Sequence, residues 1–369
     1  MASGGAETGG QTGRLLELDA LRGVAALLVL VLHYTAGFDN EVGWHGHPPL
    51  FRLSSGHLGI ALFFVISGFV IAMTLERSRN GLDFAVGRFA RLYPTFWTCA
   101  LITTGAILVT GFNPFHLTVP GFAATLTMLN GLTDLPFVDP SYWTLTRELL
   151  FYAFLATAYF TLGPRALTGV VFAWMVVTAL YNVFVMDENI YACRTAAGCG
   201  GILLNATFAH LFALGVMGYK IHRGERTPFV WITLAAAAAS GSVYLWPLSG
   251  FQPMNAVKSV LYLGLVLLAA EGLLRVLRWR VLVFFGTISY ALYLLHQVIG
   301  YALIGALVAR GLDPNLAILA AFALATALAA AVCFGVERPA QRAIRRAYAV
   351  FRARGPSAAL APVAQAGRS

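Results

Sequence analysis

Ten separate apolar runs, each about 20 residues long, recur along the chain, and no other feature constrains its fold as strongly. They lie near 15–36, 57–75, 93–111, 143–162, 166–186, 203–221, 228–247, 256–274, 283–305 and 315–336. A helix of roughly 20 apolar residues crosses the ~30 Å hydrocarbon layer of a bilayer. Its backbone polar groups are then satisfied within the segment, as lipid demands. The chain therefore reads as all-α, a polytopic membrane protein with a bundle of about ten transmembrane helices. A transmembrane barrel would show short alternating segments instead. Of 369 residues, 59% are hydrophobic and only 11% charged, too few polar groups to cover a soluble domain of this length. The shorter "VPGFAATLTMLNGL" (119–132) is more polar and reads as an interfacial or re-entrant helix.

The formal charge of +9 would raise nucleic acid as a partner of a soluble protein. Here the basic residues sit in short loops between apolar runs, so their meaning is topological and membrane lipids are the expected partner. An even number of spans puts both termini on one side. That side takes Arg14, Arg77, Arg79, Arg88, Arg91, Arg165, Lys220, Arg223, Arg226, Arg275, Arg278, Arg280 and the arginines of the C-terminal segment. The opposite side takes only Arg52, Arg194, Lys258 and Arg310. The asymmetry places both termini in the cytoplasm, with a bacterial cytoplasmic (inner) membrane as the location. Residues 1–13 read as a disordered tail, 14–338 as the transmembrane domain and 339–369 as a basic tail attracted to anionic lipid. Cys193 and Cys199 share one outward loop and pair if that compartment is oxidising.

Against this background, ionisable residues inside the runs stand out. "DALRGVAALLVLVLHYTAG" (19–37) carries Arg22 and His33, eleven residues apart. At about 100° per residue both lie on one helix face, roughly 16 Å apart along the axis. Either residue alone has a bland reading, Arg22 snorkelling to the interface and His33 bonding a carbonyl. Together on one face they point to a protein-lined path. "SYWTLTRELLFY" (141–152) puts Glu148 at about the depth of His33, as an orienting carboxylate for the imidazole or a partner of Arg147. "GRFARLYPTFW" (87–97) puts Arg88 and Arg91 on one face, able to clamp a phosphate. "ISYALYLLHQ" (288–297) sets Ser289, Tyr290, Tyr293 and His296 in an apolar helix, and "FFVISGFVI" (63–71) sets Ser67 and Gly68 in another. His45, His47 and His57 follow no metal-binding spacing, so no metal is expected.

Six elements in order, "LDALRGVAALLVLVLHY", "FFVISGFVI", "RFARLYP", "WTLTRELLFY", "SYALYLLH" and "VERP", resemble those of the bacterial membrane-bound acyltransferase-3 family. Members of that family include O-acyltransferases of surface polysaccharides. The resemblance implies a ten-helix fold that moves an acyl group, acetyl by family habit, from cytoplasmic acyl-CoA to an acceptor hydroxyl. It implies catalytic roles for Arg22 and His33 and CoA contacts for Arg88 and Arg91, and it matches Glu148 and Glu337 to family acidic positions. Leu149 stands where relatives often carry a second acidic residue.

The combined reading is an O-acyltransferase with acyl-CoA as donor and a carbohydrate or glycolipid as acceptor. His33 is the general base, assisted by Arg22 and Glu148, and Arg88, Arg91, Ser67, Tyr290 and His296 line the donor path. A secondary transporter, or an exporter that hands the acyl group to a separate enzyme, would also use a buried Arg/His/Glu path.

Overall fold

The computed structural model describes residues 15–44, 47–188 and 193–354, the side chains of His57 and Arg354 excepted. His45 therefore lies outside the described residues. Within them the protein is all-helical, without a strand. The first elements are α1 (Leu16–Leu32), a π-helical turn (His33–Gly37) and α2 (Phe38–Glu41). α3 (His57–Arg77), α4 (Gly81–Thr110), α5 (Val119–Leu126), α6 (Trp143–Leu162) and α7 (Leu167–Phe184) follow. The middle is α8 (Ala196–Leu203), α9 (Ala209–His222), α10 (Pro228–Ser240), α11 (Trp246–Ser249) and α12 (Pro253–Ala270). The last are α13 (Arg280–Leu295), α14 (Gln297–Val308), α15 (Pro314–Val332), a second π turn (Cys333–Glu337) and α16 (Arg338–Arg354).

The ten apolar runs do not each become one unbroken apolar helix. Among the described residues, five helices are long and apolar enough to cross a bilayer, or six if the bent pair α13–α14 counts as one span. The reasons are local. α1 yields to a π turn at His33 after 17 residues. α6 carries Arg147 and Glu148. The run at 203–221 gives a helix of only 14 residues, α9. The run at 283–305 bends by 72° between Leu295 and Gln297. At 119–132, α5 is short and gives way to a 3₁₀ turn.

The core forms around α9, whose residues from Ala209 to Ile221 are all buried. A helix apolar on every side is one enclosed by others. Without a hydrophobic drive between helices in lipid, close approach comes from small residues. Gly68 of α3 faces Gly215 of α9 so tightly that a Cβ on Gly68 would overlap the carbonyl oxygen of Phe212. Gly23 of α1 faces α13, where a Cβ would stand 2.6 Å from the Gly286 amide nitrogen. α1, α3, α9 and α13 are thereby drawn together, and the ionisable residues hang between them. A disulfide joins Cys193 to Cys199. α15, the second π turn and α16 run on as one long rod, Pro314–Ala353.

Candidate active site

Two turns of helix set the arginines. α4 begins at Gly81 with Asn80 as its cap, the side chain accepting from the Asp83 amide at 2.9 Å. α4 therefore starts well before the apolar run at 93, and Arg88 and Arg91 fall inside it on one face. That face lines a cavity of about 840 Å³, which Arg22 of α1 also lines. Arg91 is close enough to both Arg22 and Arg88 to be repelled by them. Arg91 is ion-paired with buried Glu337 of the second π turn and lies 5.8 Å from the Tyr290 ring centre. Arg88 lies 5.9 Å from the ring centres of both Phe84 and Tyr152. Its Nε is buried with no hydrogen-bond partner. A buried, unpartnered cationic donor is costly unless a ligand completes it. Three guanidiniums and one carboxylate, Glu148, line the cavity, with Glu337 paired to Arg91 behind it, so the cavity suits an anion with several oxygens.

The cavity continues along α3 and α6. Ser67 lines it and donates to Glu148 Oε1 at 2.9 Å, and Tyr152 donates to the same oxygen. Ser289, Tyr290, Thr144 and Tyr293 complete its further wall. Eight residues singled out from sequence thus share one cavity: Arg22, Ser67, Arg88, Arg91, Glu148, Ser289, Tyr290 and Tyr293.

His33 and His296 are not among its lining residues. They stand against each other, His33 Nδ1 to His296 Nε2 at 2.7 Å, in rings 4.9 Å apart. Tyr293 links the two regions, since its ring lies 5.8 Å from that of His296. His296 is therefore a partner of His33 and not among the residues that line the arginine cavity. The orienting group of His33 is likewise His296 and not Glu148, whose bonds go to Ser67 and Tyr152. The sequence placed Glu148 at about the depth of His33; the structure sets it in the cavity wall, bonded to Ser67 and Tyr152. Depth says nothing of the direction in which α6 presents it. Arg147 turns the other way, is buried, and donates to the Gly201 carbonyl at 3.1 Å.

The tautomers follow from the bonding. His296 Nδ1 lies 2.8 Å from the Tyr293 carbonyl, which can only accept, so Nδ1 carries the hydrogen. In a neutral ring Nε2 is then an acceptor, and the 2.7 Å bond requires His33 to donate from Nδ1. His33 Nε2 is left with its lone pair. The arrangement fixes a base by fixing which nitrogen lacks the proton.

The bend that places His296 is built from residues distant in sequence. Asp139 is fully buried and accepts from the Ser141 amide (2.9 Å), the Ser141 hydroxyl (2.6 Å) and the Val298 amide (3.0 Å). The Val298 amide is one of the orphan donors at the start of α14. Carbonyls around the break find hydroxyls: Leu294 from Tyr142 and His296 from Tyr34, both at 2.9 Å. Tyr293 donates to the Ser141 carbonyl at 2.8 Å. Sequence reasoning did not single out Asp139, although an Asp immediately before Pro140 is a start signal for a helical turn. Asp139→Ala should strip acceptors from two buried amides, at a cost of about 2–5 kcal/mol. The expected result is a lower thermal midpoint in detergent, with Asp139→Asn intermediate because it keeps one acceptor oxygen.

At the other partner, the π turn begins at His33, with the Phe38 amide donating to the His33 carbonyl. Such turns recur at functional positions. Among the described residues no group of three or more His, Cys, Asp or Glu is placed to hold a metal.

Comparison with known proteins bears on this arrangement. A family model described as an acyltransferase domain matches residues 15–334. The chain is similar to Nodulation protein 10 of Rhizobium leguminosarum bv. viciae, at 28% identity over 79% of this chain and 85% of that one. It is similar to the exopolysaccharide production protein ExoZ of Rhizobium meliloti, at 27% over 78% and 90%. It is also similar to acyltransferase MdmB of Streptomyces mycarofaciens, at 28% over 95% and 97%. No solved structure gives a significant match.

Proposed function

The chain belongs to the acyltransferase-3 family, and from that premise we propose that it is an integral-membrane O-acyltransferase drawing on cytoplasmic acyl-CoA. The acceptor is a hydroxyl of a carbohydrate or glycolipid, the acyl group acetyl. Ten spans with both termini in the cytoplasm of a bacterial inner membrane complete the reading. The Cys193–Cys199 disulfide supports that orientation, since it lies in a loop assigned to the oxidising side.

One observation carries the reading: the cavity of three arginines, with buried Arg88 Nε unpartnered, extends to Tyr293, next to a histidine pair whose outer nitrogen is a free base. The phosphates of the donor dock on Arg88 and Arg91, and Glu337 holds Arg91 in place. The pantetheine arm passes Arg22, Ser67 and Tyr290 toward Tyr293. His33 Nε2 takes the proton of the acceptor hydroxyl. The oxygen attacks the thioester carbon, the C–S bond breaks, and the proton returns from His33 to the departing CoA sulfur. Arg22 is the cation available to the oxyanion. Glu148, tied to Ser67 and Tyr152, shapes the pocket wall. His296 positions His33 through its tautomer. The file ends on the Tyr293 carbonyl and not on a carboxylate, so it orients the base without adding a buried charge.

The test is CoA release and glycan acetylation by purified protein in nanodiscs. Arg88→Ala removes charge-assisted bonds to phosphate worth about 1.5–3 kcal/mol, so KM for acetyl-CoA should rise roughly 10- to 150-fold with a smaller change in kcat. No change in KM for Arg88→Ala, or solute transport without acyl-CoA, would overturn the donor assignment.

A further inference from the structure

A second cavity, of about 820 Å³, borders the first without belonging to it. Along α3 it takes Leu58, Ile60 and Ala61, whereas the donor cavity takes Ile60 onward to Ile71. Along α6 it takes Trp143, whereas the donor cavity takes Thr144 to Tyr152. On both helices it lies toward the N-terminal end, and Ile60 is the shared wall. Its remaining wall comes from the start of α9, the start of α12 and the turn at Tyr244. The arginine-lined part of the donor cavity instead uses the N-terminal halves of α1 and α4, at Arg22, Arg88 and Arg91. The two cavities therefore approach the middle of the bundle from opposite ends.

Their chemistry differs as well. The second cavity holds four aromatic faces, Trp143, Phe208, Tyr244 and Tyr262, with His210, Asn255 and Ser259 between them. His210 is 3% exposed, and its Nδ1 makes no hydrogen bond of ordinary geometry. Its ring lies 4.9 Å from that of Tyr244. Gly241 lets the turn close over it, since a Cβ there would meet Ser259 Oγ at 3.1 Å and His210 Cδ2 at 3.3 Å. Lys258 stands exposed at the mouth, and among the described residues no carboxylate lines the cavity. Flat apolar faces interleaved with neutral hydrogen-bonding groups fit a sugar ring, whose C–H faces are apolar and whose edge is hydroxyl. A lipid tail has no use for the polar groups. An unopposed ammonium at the mouth fits a negative substituent on that ring.

We propose that this cavity is the acceptor subsite and that it takes a pyranose bearing an anionic group. The inference rests on the donor reading only for the name "acceptor"; the binding itself is separable from it. The probes are radiolabelled methyl β-D-glucuronide and methyl β-D-glucoside, measured by equilibrium dialysis against the full-length protein in nanodiscs, with acetyl-CoA binding measured alongside. The uronide should bind saturably and about tenfold tighter than the glucoside, the scale of one charge-assisted contact near 1.4 kcal/mol. Lys258→Ala and Lys258→Gln, changes at an exposed position that leave the packing intact, should bring the uronide down to the glucoside's level. Trp143→Ala should weaken both sugars by tenfold or more and leave acetyl-CoA binding in place. Absence of saturable binding by either glycoside, in protein that still binds acetyl-CoA, overturns the proposal. So does uronide affinity unchanged in both Lys258 variants. Sugar binding as expected with no acetyl-CoA binding would instead remove the donor reading and leave this one standing.

Discussion

Replacing His33 with alanine should cut acyl transfer by about 10²- to 10⁴-fold, the usual range for losing a general base. The donor's affinity should stay near wild type, because His33 is not among the lining residues of the arginine cavity. The Tyr293 carbonyl holds the proton on His296 Nδ1, and His296 Nε2 holds the proton on His33 Nδ1. Only His33 Nε2 remains to accept a proton. His296→Ala should cost less, since His33 keeps its ring and loses only the group that selects its tautomer. The ratio between the two variants, read as CoA release and as acetyl groups on glycan, separates a base from its positioning partner. Undiminished glycan acetylation by a stably inserted His33→Ala protein would end the mechanism.

The second large effect is on folding. Gly68→Leu should abolish recovery of monodisperse protein in detergent. The added Cβ meets the backbone oxygen of Phe212, and α9, being buried on every side, has no room to retreat. Overlap with a backbone atom cannot be relieved by a rotamer change, so a loss above about 4 kcal/mol is expected. Gly105→Ala is the control, because nothing lies within 4 Å of a Cβ built there. It should leave the elution profile unchanged. Equal recovery of both variants would contradict the close α3–α9 approach.

The helical character could be read from the sequence because it depends on local composition, whereas the number of long apolar helices could not. The apolar runs marked most of the helices, and the Arg-x-x-Arg pair was rightly put on one helical face. Of the eight cavity residues, Arg22, Ser67, Glu148, Ser289, Tyr290 and Tyr293 were conspicuous as polar groups in apolar runs, and Arg88 and Arg91 as a pair just before one. The bend at His296 was not legible. "YALYLLHQVIGYA" contains no proline at the break, and its single glycine comes four residues later. What stabilises the break arrives from Asp139, Tyr142 and Tyr34, which are far off in the chain. Local propensity carries no trace of such partners. The pairing of Glu148 with Ser67 and Tyr152, in place of His33, has the same origin. Helical spacing gives a residue's height, but its compass direction is set by how whole helices pack. A cluster of Ser289, Tyr290, Tyr293, His296 and Gln297 in one span was the available warning that this segment has buried polar neighbours.

The π turn at His33–Gly37 has a consequence for the chain's arithmetic. It accommodates one residue more than an α-helical turn, and everything downstream is phased by that surplus. Phe38 reaches Tyr301 and Trp44, and Asp39 meets Arg52, only in this phase. Deleting a single residue between Tyr34 and Gly37 would rewind the segment to ordinary pitch and swing those side chains by about 100°. The count of residues after His33 is thus as strict a requirement as the imidazole itself, and a search for relatives by spelling alone would miss it.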